Sequence, residues 1–92
     1  MTEKIEKLFV KLIEECSEVS KDCCKALTFG LNDKEPGQEL TNKEKIFNEF
    51  NDLVAVMAML RDKNVFKELF NDELIAKKQI KVNKYLNYDK KN

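Results

Sequence analysis

The chain has 92 residues and a mass of 10.8 kDa, 42% hydrophobic and 37% charged, a soluble composition that fits one small domain and is too apolar for a disordered chain. Seventeen basic residues balance 17 acidic ones, and a zero net charge argues against nucleic acid as the main partner. No apolar run approaches the roughly 20 residues of a membrane span, and the charged start MTEKIEKLF is unlike a signal peptide, so no membrane partner is expected and the expected location is the cytoplasm.

Two Gly and one Pro leave little for the many turns of an all-β fold, so the composition points to helices. Ile5, Leu8, Phe9, Leu12, Cys16, Val19, Cys23 and Leu27 recur at helical spacing. They predict an amphipathic helix over roughly residues 3–28, closed by Gly30. Residues 31–40 hold the only Pro and the second Gly, and read as a loop. Thr41 precedes Glu44 by three, a capping box, and opens a second helix over about 42–62. Its apolar face is Ile46, Phe50, Leu53, Met57 and Leu60, flanked by Val54 and Val56. Residues 63–71 read as a short connection with room for one helical turn at Phe66 to Phe70. A third helix is predicted over about 72–86, capped by Asn71 or Asp72 and striped by Ile75, Val82 and Leu86. The tail 87–92 is expected to fray. The predicted fold is all-α: one domain over 1–92, an antiparallel bundle of three main helices per chain, completed by oligomerisation.

The composition also narrows the chemistry. There is no His, which excludes Ser-His-Asp and Cys-His nucleophile systems. Neither a GxxxxGK[ST] phosphate loop nor a GxGxxG fingerprint is present. Cys16, Cys23 and Cys24 cannot complete a zinc set and suit no disulfide framework, so they read as reduced small hydrophobes on the first helix. Catalysis, if any, runs on carboxylates, lysines, hydroxyls or an oxygen-held metal.

Charge is uneven. Residues 77–91 hold six Lys against Asp89 alone, so a basic end balances an acidic body. On a wheel of roughly 100° per residue, Glu49 falls inside the apolar stripe of the second helix and Asp52 at its edge. Glu15 and Glu18 flank one edge of the stripe on the first helix. Each pair is three apart, so its carboxylates can converge. Antiparallel packing would bring all four into one cleft. Four like charges repel, and a cation resolves that. Hard oxygen donors with no nitrogen or sulfur favour Mg²⁺, or Mn²⁺. The alternatives are a solvated acidic face and a buried ion pair between Glu49 and a lysine.

The motif Glu14-Glu15-Cys16-Ser17-Glu18 followed by Glu49-Phe50-Asn51-Asp52 resembles the EExxE and ExxD elements of the all-α nucleoside triphosphate pyrophosphohydrolases of the MazG type. Leu12 and Ile13 before the double Glu, KALTFG after it, Asn42 and Leu53 extend the similarity over roughly residues 8–60. The resemblance implies Glu15, Glu18, Glu49 and Asp52 as Mg²⁺ ligands and Glu14 as an auxiliary catalytic carboxylate. It implies hydrolysis of a nucleoside triphosphate to the monophosphate and pyrophosphate, by a homodimer or homotetramer.

A polyphosphate also needs protein cations. Lys77, Lys81 and Lys84 share a face of the third helix with Lys78 beside it, which makes Lys78 and Lys81 candidate substrate contacts, or else a solvated basic face. Lys25, one turn beyond Asp22, is a further candidate. Two other readings stand beside the hydrolase. One is a non-catalytic helical dimerisation or regulatory module. The other is a basic-helix nucleic-acid binder, disfavoured by the acidic body.

Overall fold

The computed structural model describes residues 1–88. It is all-α, with helices α1 (Glu3–Phe29), α2 (Asn42–Asp62) and α3 (Asp72–Asn87) and no strand among the described residues. Asn87 closes α3; the rest of the tail expected to fray, apart from Tyr88, lies outside the described residues.

Local chemistry places the helix ends. Thr2 caps α1 by accepting from the Ile5 amide. The α1 helix stops at Gly30, whose φ of 100° suits a residue without a Cβ. Thr41 and Glu44 form the expected capping box. Asn71, rather than Asp72, caps α3 through the Leu74 amide. The α2 terminus uses a signal missing from the sequence reading. Asn64 takes the left-handed conformation at φ 64°. The Asn64 and Val65 amides then donate to the Arg61 and Leu60 carbonyls, a Schellman closure. The chain leaves α2 through this turn, and residues 66–70 form no helical turn.

Helices α1 and α2 pack on each other. They run antiparallel, because Gly30 meets Asn42 at the loop end while Glu15 meets Glu49 and Asp52 farther along. The positions that are buried or half-buried include, on α1, Ile5, Leu8, Leu12, Glu15, Val19, Asp22 and Ala26, flanked by Phe9 and Cys23, and on α2 Asn42, Ile46, Glu49, Leu53, Val56 and Leu60, flanked by Val54 and Met57. The central row on each helix alternates steps of three and four, the seam of a coiled-coil-like pair. The seam is rotated by roughly 50° on α1 from the centre of its apolar stripe. Leu27 of α1 accordingly faces outward, and on α2 Phe47 is exposed and Phe50 is 48% exposed.

Helix α3 packs on neither α1 nor α2 among the described residues. The chain spreads over 47 × 41 × 16 Å, little more than one helix thick. Val56 and Leu60 are its only fully buried hydrophobic side chains among the described residues. No helix of the described residues is long and apolar enough to cross a membrane.

Candidate metal centre

The seam carries acids where a coiled coil carries apolar side chains. Glu15 on α1 and Glu49 on α2 are half-buried, and Asp52 is exposed one turn beyond Glu49. One carboxylate oxygen from each of the three lies within 4.8 Å of the others. The i, i+3 step on α2 puts Glu49 and Asp52 on adjacent turns of one face. The antiparallel register then brings Glu15 against them.

This proximity has an electrostatic signature. Burial pushes the Glu49 carboxyl above its ordinary value, and the neighbouring Glu15 carboxyl adds to it. The charges of Asp52, Glu15 and Asp22 act in the same direction. A carboxyl that resists ionisation among other carboxylates is a group a cation can relieve.

Glu14 and Glu18 line the same groove, of about 460 Å³, with Glu15, Glu49 and Asp52. Glu18 stands outside the three-oxygen group, on the exposed side of α1. Glu14 sits at the rim, where its carboxylate accepts from the Lys11 ammonium at 3.0 Å. Thus three of the four expected ligands converge, and the fourth flanks them.

The structure does not bring the candidate lysines together. Lys25 lies in a second groove of about 280 Å³, whose walls include Glu18 and Glu49. Lys78 and Lys81 are exposed on α3. They line neither groove, because α3 does not fold back onto the hairpin. The cysteines are free as expected, but Cys16 and Cys24 are exposed and only Cys23 is half-buried.

Two functional candidates escaped the sequence reading. Asp22 is 6% exposed and lines the groove that holds Lys25. Its signal was the alternating three-four spacing, which places it one heptad after Glu15 in the seam. Lys45 is the other, held against the loop residue Glu35; the contact spans ten residues and has no periodicity to reveal it.

An all-oxygen set of three carboxylates suits a hard divalent cation such as Mg²⁺ or Mn²⁺. Comparison of the chain with family models, with curated proteins and with solved structures finds no match.

Proposed function

We propose that this chain is a Mg²⁺-dependent hydrolase of the MazG type, converting a nucleoside triphosphate to the monophosphate and pyrophosphate. The observation that carries the reading is the convergence of Glu15, Glu49 and Asp52 across the seam. It rests also on the resemblance of the EExxE and ExxD elements in which those residues stand. Glu15, Glu49 and Asp52 hold the cation, with Glu18 as the flanking ligand. Mg²⁺ bound there supplies charge neutralisation for the phosphates and a more acidic water. Glu14, at the rim, takes the role of orienting a water or accepting its proton once Lys11 releases it.

The working unit in this proposal is a homodimer or homotetramer in the cytoplasm. The outward Leu27, Phe47 and Phe50 support self-association, because a hairpin with two buried hydrophobic side chains has almost no core of its own. The same observation favours a second reading, a non-catalytic helical dimerisation module in which the acids have no ligand.

The deciding experiment measures pyrophosphate release from a panel of ribo- and deoxyribonucleoside triphosphates with Mg²⁺, beside Glu49→Gln. Monophosphate and pyrophosphate formed by the wild type and lost in the variant are expected. No turnover of any nucleotide by folded protein overturns the hydrolase reading in favour of the module.

A further inference from the structure

The loop between α1 and α2 is a strap with a carboxylate at its tip. Its ends are pinned, since the Asn42 and Lys43 amides donate to the Asp33 and Leu31 carbonyls at 2.9 and 3.0 Å. Its tip is a tight turn, Glu35-Pro36-Gly37-Gln38, closed by the Gln38 amide on the Glu35 carbonyl at 2.9 Å. Pro36 and the φ of 81° at Gly37 are those of a type II turn. The turn aims Glu35 back at the hairpin.

There two ammonium groups meet it. Lys25 of α1 binds one carboxylate oxygen and Lys45 of α2 approaches the other at 3.5 Å. The Lys25 and Lys45 side chains are only 26% and 15% exposed, so this is no pair of solvated lysines. Two ammoniums on two oxygens of one anion is also how lysines would take a phosphate, as point charges that impose no planar geometry. Glu18 and Glu49 form walls of both this groove and the carboxylate groove, so the two grooves adjoin. Their carboxylates, with Asp22 in the lysine groove, oppose an anion. A polyphosphate reaching across both therefore needs the cation of the proposed metal site, while Lys25 and Lys45 are the groups that attract its far end.

We propose that Lys25 and Lys45 form an anion subsite for the terminal phosphates of the substrate, and that Glu35 is a resident stand-in which the substrate displaces. This rests on the triphosphate reading above and assigns Lys45 and Glu35 to the same site. Displacement makes the strap a discriminator. A ligand with two or more linked phosphates supplies enough charge to replace the carboxylate, while a monophosphate product supplies less and leaves more readily.

The test uses inorganic pyrophosphate and the full chain in metal-free buffer, by titration calorimetry. It therefore does not depend on the carboxylate site or on turnover. Glu35→Gln is expected to tighten binding about two- to fivefold, the range of an exposed ion pair. Lys45→Gln is expected to weaken it by a similar factor, and Lys25→Gln with Lys45→Gln to abolish it. Helicity by circular dichroism verifies that each variant is folded. The proposal is overturned if Glu35→Gln leaves the affinity unchanged or weaker, if Lys45→Gln binds like the wild type, or if neither wild type nor Glu35→Gln binds pyrophosphate. A chain that hydrolyses nucleotides but shows any of these results loses the subsite and keeps the proposed function. One that shows the expected shifts without hydrolysis keeps the subsite and loses the function.

Discussion

Glu15 and Glu49 face each other across the α1–α2 seam with a carboxylate oxygen of each within 4.8 Å of the other, each in a position where an antiparallel helix pair ordinarily places an apolar side chain. Such a pair shares a proton or a cation more readily than it carries two charges. Its cost in the metal-free protein and its relief by a ligand are both measurable.

Replacing Glu49 by Gln should stabilise the metal-free chain. The amide keeps the shape, can donate to the Glu15 carboxylate beside it, and removes a charge that burial penalises. A rise in melting temperature of roughly 2–6 °C in chelator is expected. Excess Mg²⁺ should raise the wild-type melting temperature by mass action and leave the variant's unchanged. Differential scanning fluorimetry with and without Mg²⁺ checks both. An indifferent wild type would count against a metal at this place.

The raised Glu49 pKa fixes a direction with pH. The native state keeps this proton at pH values where the unfolded chain has lost it. Stability from Glu49 is therefore fully present below its ordinary value of 4.5. It is lost as pH rises from there through the folded-state value. Glu35, held down by Lys25, and Glu44, held down by its bonds from Thr41, act in the opposite sense. Their contribution falls away as pH drops. The difference between wild type and Glu49→Gln cancels those two. The variant's advantage should thus grow from pH 4 towards neutrality, as urea unfolding across that range would show. Proton competition also predicts stronger Mg²⁺ binding at higher pH.

Thr41→Ala should remove the start of α2. Thr41 accepts from the Glu44 amide, and Glu44 accepts from the Thr41 amide in return. The loss of such a cap costs about 0.5–2 kcal/mol. Here the next residue adds weight. Asn42 is 2% exposed and donates to the Gly30 carbonyl at 2.9 Å, so the same turn ties both helix ends together. Urea denaturation monitored at 222 nm should show the midpoint falling without a change in slope.

The double variant Phe47→Asp, Phe50→Asp should separate assembled chains. Both rings are exposed, at 67% and 48%, and both lie outside the seam. Sedimentation velocity should show a smaller species than the wild type, with helicity retained at concentrations where the hairpin stays folded. A wild type that sediments as a monomer would remove the proposed assembly.

Much of the architecture was legible because it is local. Helix ends follow from Gly30, Thr41 and Asn71, whose side chains or backbone freedom act within four residues. Glu15, Glu49 and Asp52 were legible as a converging set because i, i+3 spacing and antiparallel packing are short-range inferences. Asp22 was not, since a wheel drawn on apolar residues was roughly 50° from the seam on α1, and Lys45 and Glu35 were not, since their contact links a helix to a loop across ten residues with no periodicity to reveal it.

The sequence alone determined three helices, most of their ends, and which carboxylates could share a face, because hydrogen bonding and helical spacing act over a few residues. The tertiary structure decided which half of each broad amphipathic stripe turns inward. It chose the half bearing Glu15, Asp22 and Glu49 and left Leu27, Phe47 and Phe50 outside. It also decided that α3, with Lys78 and Lys81, stands apart from the hairpin. A stripe more than about 100° wide can satisfy local helix physics with either edge facing a partner. Only the close packing of the two helices, with the loop strapped over their end, selects one.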